Sequence, residues 1–218
     1  MPGMSKGEAA LIEPLILYLV LFLPGAVSYS PPPDLTVFSA ERELIRILVY
    51  NIPSFTLIWY LLLQKTSLKE WGIGMPGKKD FLTALCAFPG LLLIGLTISV
   101  VSPFFTDLPA GAGLTAPGSL AGWIVMILSC LTTGYLEESF FRFYLLTRLR
   151  DAGIRTGKLV CLSVLLFALC HVYEGPWGAL NAVLAGTLLA FLFLHFKSLH
   201  GVALAHGLYN AFVYALGV

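Results

Sequence analysis

Residues 81–105, FLTALCAFPGLLLIGLTISVVSPFF, contain no Asp, Glu, Lys, Arg or His. A run of that length and polarity suits a membrane-spanning helix, which needs about 20 mostly apolar residues. A helix is favoured because each backbone N–H and C=O must be satisfied within the span. Six further stretches read the same way: 9–29, 44–63, 119–147, 158–175, 177–196 and 199–217. The sequence therefore predicts an all-α fold, a polytopic transmembrane bundle of about seven helices, with residues 1–218 forming one integral-membrane domain. Composition agrees. Hydrophobic residues make up 58% of the chain and charged residues 11%, with a mean hydropathy of +0.87. A soluble domain carries about 25% charge.

The first stretch has some marks of a signal peptide, with Lys6 before it and Ala26 and Ser28 near its end. It is long for a signal core and is read as an uncleaved anchor. Gly- and Pro-rich connections separate the spans at Ser28–Asp34, Gly72–Asp80 and Asp107–Ser119. The four cysteines, Cys86, Cys130, Cys161 and Cys170, lie in apolar runs without C-x-x-C spacing and read as small buried hydrophobes. A net charge of +1 without clustered Lys or Arg gives no footprint for nucleic acid.

Orientation follows from the loops. Lys65, Lys69, Lys78 and Lys79 lie between the second and third spans, Arg148, Arg150, Arg155 and Lys158 between the fourth and fifth, and Lys197 between the sixth and seventh. The intervening loops lack such residues, with Arg42 and Arg46 the exceptions. The alternation predicts a cytoplasmic N-terminus and an outer C-terminus.

Charge at bilayer depth is expensive and marks function by default. The fourth span holds GYLEESFFRF, with Glu137, Glu138 and Arg142; the fifth holds His171; the seventh holds His206 and Asn210. Residues four apart on a helix share a face, so Glu138 and Arg142 pair in the favourable order, as do His206 and Asn210 in position. Adjacent residues diverge by about 100°, leaving Glu137 without a partner on its own helix, available for general acid or base work. At a rise of about 1.5 Å per residue, Glu137, His171 and Asn210 each lie roughly 16–20 Å from a helix end, in one layer. Glu13, Arg46 and His195 lie near helix ends, where long side chains snorkel. Asn181 is suited to an interhelical hydrogen bond, and Ala182, Gly186 and Ala190 to close helix packing. Phe140, Phe141, Phe143 and Tyr144 read as packing and lipid contact.

Three blocks occur in order on three predicted spans: EESFFR at Glu137–Arg142, FALCH at Phe167–His171 and HGLYN at His206–Asn210. Together they resemble the CAAX-processing and bacteriocin-processing (CPBP) family of intramembrane proteases, whose pattern is E-E-x-x-x-R, F-x-x-x-H and H-x-x-x-N. The motifs lie within residues 134–212, roughly the C-terminal third. The resemblance implies an intramembrane endopeptidase, in which Glu137 activates water, His171 helps to hold it, His206 and Asn210 form an oxyanion hole, and Arg142 orients Glu138. It implies a membrane-associated substrate: a prenylated C-terminus, a leader peptide or a sorting tail. It places the protein in the plasma membrane of a prokaryote or the endoplasmic reticulum of a eukaryote. No cofactor is expected. The alternative is a catalytic zinc on Glu137, His171 and His206, although the chain lacks H-E-x-x-H. Read without the resemblance, the same residues also suit a non-catalytic membrane scaffold or regulator, or a small transporter relaying protons. Transporters often carry internal repeats, and the chain shows none.

Overall fold

The structure, a computed structural model, describes residues 6–23, 37–65, 68–71, 73–105 and 115–216. These residues are almost entirely helical. Seven main helices follow in order: α1 (Lys6–Leu21), α2 (Ala40–Ile45, Arg46–Asn51 and Ile52–Lys65 in direct succession), α3 (Lys78–Val101), α4 (Leu120–Asp151), α5 (Thr156–Leu169), α6 (Gly175–Phe196) and α7 (Leu199–Leu216). Among the described residues, α2, α3, α4 and α6 lie in the four segments long and apolar enough to cross a membrane. The connection at Ser28–Asp34 and most of Asp107–Ser119 lie outside the described residues.

One predicted span is corrected in length. The described first helix ends at Leu21, and residues 24–29 of the predicted first span lie outside the described residues. The fifth stops at Leu169 rather than near 175, because His171 leaves the helical region (φ −108°, ψ 5°) and Gly175 takes φ +84° just before Pro176 opens α6. Glycine tolerates that positive φ, and proline is suited to a helix start. At 14 residues α5 is about 21 Å long, short of a hydrocarbon core of about 30 Å. His171 therefore occupies a turn between helices rather than a helix interior.

The second half of α4 is the axis of the bundle. Phe140, Phe141, Phe143, Tyr144 and Leu146 are fully buried. Phe140 packs on Phe22, just after α1, with centroids 4.7 Å apart, Phe141 on Phe167 of α5 at 5.1 Å, and Phe143 on Trp71 at 5.9 Å. The aromatic run is thus core packing and makes no lipid contact. Lipid-facing surface comes instead from residues such as Leu93, Leu96 and Val100 of α3.

Polar residues on α2 and α4 run alongside one another. Arg46 meets Glu43 Oε2 at 2.7 Å and donates to Ser129 Oγ at 2.6 Å, while Ser129 donates to Glu43. Asn51 Nδ2 donates to the hydroxyls of Thr132 and Thr133, and Trp59 Nε1 to Ser139 Oγ. Arg46 is therefore an interhelical residue rather than a snorkelling one. So is Glu13, which accepts from the Tyr144 hydroxyl and faces Arg148 at 3.7 Å. His195 packs its ring on Phe191 and Phe196. The predicted Asn181 bond forms, with Tyr209 OH donating at 3.4 Å. Cys130 and Cys170 are buried as predicted, whereas Cys86 and Cys161 face outward.

The basic connections gather at one end. Arg150 stacks over Trp71 with its guanidinium carbon 4.3 Å from the ring centroid, and Lys79 Nζ donates to the Lys197 carbonyl at 2.9 Å.

Candidate active site

α4 and α7 cross at two glycines, and that crossing builds the site. A Cβ on Gly134 would lie 2.8 Å from Gly207 N and 2.9 Å from Ala203 O; one on Gly207 would lie 2.8 Å from Leu131 Cα. All three are backbone atoms, so only glycine permits this approach. Gly207 follows His206, and Gly134 is one turn before Glu138. The imidazole is thereby brought onto two carboxylates.

His206 Nδ1 is 2.9 Å from Glu138 Oε1, and its Nε2 is 3.6 Å from Glu137 Oε2. Since ionised Glu138 can only accept, Nδ1 carries the proton in the shorter contact. The longer distance exceeds a direct hydrogen bond. Glu138 turns its other oxygen, Oε2, to Arg142 Nε at 3.1 Å, and both side chains are 0% exposed. The ion pair expected from the i, i+4 spacing therefore forms. Arg142 Nη1 also donates to Ser163 Oγ on α5 at 3.2 Å, and its guanidinium lies over the Phe167 ring at 4.7 Å. The two carboxylates thus differ in kind. Glu138 is held by a guanidinium and an imidazole. The Glu137 side chain is 16% exposed, and its Oε2 has no hydrogen-bond partner.

Arg142 belongs to a π-helical turn, Ser139–Tyr144, with Glu138 just before it. Such turns recur at functional sites. Here Ser163 donates to the Phe141 carbonyl at 2.7 Å within the widened turn while accepting from Arg142. Gly186 of α6 closes the far side: a Cβ there would be 3.0 Å from Phe167 and 3.4 Å from Arg142 Nη2. The small residue predicted for close packing thus makes room for the guanidinium and the Phe167 ring.

His171 joins the group indirectly. Its ring packs on Phe167 at 4.6 Å, and the Phe167 ring also meets His206 at 5.9 Å. His171 Nδ1 is 2.8 Å from the Phe167 carbonyl, which fixes the proton on Nδ1 and leaves Nε2 as the acceptor. It makes no direct hydrogen bond to Glu137. Asn210, one turn after His206, is half-buried, and its amide is in none of the described hydrogen bonds.

No three His, Cys, Asp or Glu among the described residues gather closely enough to hold a metal ion. A zinc site needs three such donors with an open fourth position. The set Glu137, His171 and His206 does not gather closely enough to fit zinc in this arrangement.

Sequence reasoning missed Ser163 and the Gly134–Gly207 crossing. Ser163 carries no signal within an apolar span. The two glycines could have been found as small residues adjoining the motif residues on two different helices.

Residues 119–212 match the family model described as type II CAAX prenyl endopeptidase Rce1-like. The chain matches no curated protein and no solved structure. The matched segment contains α4 to α6, most of α7, and all seven polar site residues: Glu137, Glu138, Arg142, Ser163, His171, His206 and Asn210. Over residues 119–212 the chain is therefore similar to the Rce1-like CAAX endopeptidase family, the family its three motifs resemble.

Proposed function

We propose that this integral membrane protein is an endopeptidase in which Glu137 activates water against a peptide bond of a membrane-associated substrate. The observation that carries this reading is the contrast between the two carboxylates. Glu138 is 0% exposed between the Arg142 guanidinium and the His206 imidazole, whereas Glu137 is 16% exposed, faces no cation of its own helix, and has its Oε2 without a hydrogen bond, 3.6 Å from His206 Nε2. A polar separation of that length accommodates a bridging water.

Glu137 takes a proton as the water oxygen bonds to the scissile carbonyl carbon. Negative charge then develops on the carbonyl oxygen. The Asn210 amide is the donor for it, joined by His206 Nε2–H when the ring is protonated on both nitrogens between Glu138 and Glu137, and one such donor is worth about 10²–10³ in rate. As the C–N bond breaks, the leaving amine receives the proton from Glu137, with His171 Nε2 as the relay. Arg142 and Glu138 act through His206: the ion pair fixes Glu138, and Glu138 fixes the tautomer and orientation of the imidazole.

The substrate is a lipid-anchored or membrane-spanning polypeptide. The family description favours a prenylated C-terminus; leader peptides and sorting tails share the same membrane attachment. Every step uses the chain's own side chains, and none is routed through a metal. Cleavage of a prenylated reporter peptide in proteoliposomes containing H2¹⁸O tests this. Label should enter the new C-terminal carboxylate, and turnover should survive metal removal. Loss of activity with loss of stoichiometric zinc, and recovery of both together, would overturn the metal-free mechanism.

A further inference from the structure

At the basic end of the bundle a cavity of about 200 Å³ is lined by Trp71, Leu146, Arg150, Thr156, Leu159, Leu194 and Lys197. It is separate from the proposed catalytic group and does not depend on the peptidase reading. Two cations from different helix ends border it, and among the described residues neither Arg150 nor Lys197 is in an ion pair. The nearby Asp151 faces Arg148 at 3.3 Å. Arg150 is exposed, with its guanidinium carbon 4.3 Å from the Trp71 ring centroid, and a guanidinium so placed on an aromatic ring can still donate to oxygen acceptors. Trp71 is 5% exposed and its Nε1 has no partner. Thr156 opens α5, whose N-cap makes no side-chain hydrogen bond, so first-turn amides point outward. A helix start of this kind favours a phosphate group.

Lys197 adds an independent sign. It ends α6 in the left-handed region at φ +49°, and among the described residues it is the one non-glycine with positive φ. Gly or Asn is usual at such a position. A lysine there accepts backbone strain at a residue that lines the cavity.

The remaining walls identify the ligand class. Leu146 and Leu159 are buried, Leu194 is half-buried, and the cavity lies where α4, α5 and α6 end together. We infer that this cavity binds an anionic phospholipid, with its phosphate between Arg150, Lys197 and the first turn of α5 and its upper acyl chain against Leu194 at the apolar side of the cavity. A free phosphate would have no use for the leucine wall.

The test compares full-length protein in nanodiscs of phosphatidylcholine alone and with added phosphatidylglycerol, by thermal unfolding and by native mass spectrometry of retained lipid. Wild type should unfold at a higher temperature with phosphatidylglycerol and should retain it selectively. The double variant Arg150→Gln/Lys197→Gly, whose glycine also relieves the backbone strain, should keep its phosphatidylcholine stability and bind phosphatidylglycerol about 30-fold more weakly. If the double variant does not fold, each single variant should show about a fivefold loss. Unchanged phosphatidylglycerol retention in the variants would overturn the inference. So would equal stabilisation of wild type by inorganic phosphate in phosphatidylcholine discs, which would assign the cavity to a free anion.

Discussion

Gly134→Ala adds one methyl group where α4 touches α7. The new Cβ would meet Gly207 N at 2.8 Å, Ala203 O at 2.9 Å and Gly207 Cα at 3.1 Å. None of these is a side chain that can swing away. Ordinary contact begins at 3.4 Å, so the two backbones must part by 0.6 Å. His206 adjoins Gly207 and moves with it. Its 2.9 Å contact with Glu138 stretches toward the limit for a hydrogen bond, and its 3.6 Å separation from Glu137 grows. Overpacking of this kind costs about 1–3 kcal/mol of stability. A 1 Å misplacement can cost about 10² in rate, so this smaller one should cost about 10-fold. Thermal unfolding in detergent and turnover of a prenylated reporter read the two effects separately. Gly157→Ala is the control: nothing lies within 4 Å of its Cβ position, and alanine suits a helix better. If Gly134→Ala matched wild type in melting temperature and turnover, the helices would not cross as described.

Glu138→Ala and Arg142→Ala each strand a partner that is 0% exposed, so each should lower stability by about 3–5 kcal/mol, read as a loss of melting temperature. Asn210→Ala should lower kcat by about 10²–10³ with little change in KM, because the donor acts on charge that develops in the transition state; a rise in KM at constant kcat would assign Asn210 to substrate binding instead. In a cysteine-free background, an impermeant thiol reagent should label Asp151→Cys from the cytoplasmic side and Gly118→Cys from the outside, and the reverse pattern would invert the proposed topology.

The spacing of the charged residues was the most legible part of the sequence. The i, i+4 rule placed Glu138 on Arg142, and the structure gives 3.1 Å between them. The helical class was legible because apolar runs near 20 residues have few alternatives. Helix ends were less so. Hydropathy continues smoothly through Leu169–Val172, and the break there is set by the backbone at His171 and Gly175, which average polarity does not register. The aromatic run was misplaced for a related reason. In a membrane protein both lipid and core are apolar, so Phe140–Tyr144 carry no periodic sign of which they face. The bond from Arg46 to Ser129 was hidden because snorkelling and pairing look alike in one sequence. The glycine crossing needs two segments considered together, 73 positions apart between Gly134 and Gly207.

The central claim is that Glu137, and not Glu138, supplies the base. Glu137→Gln keeps the shape of the side chain and removes its ability to take a proton. The most direct measurement is single-turnover cleavage of a prenylated reporter by purified Glu137→Gln in proteoliposomes, with its melting temperature compared with wild type. The account expects a folded protein of near-wild-type stability, with reporter still bound and no cleavage above background. Cleavage at the wild-type rate by that folded variant would remove Glu137 from the mechanism.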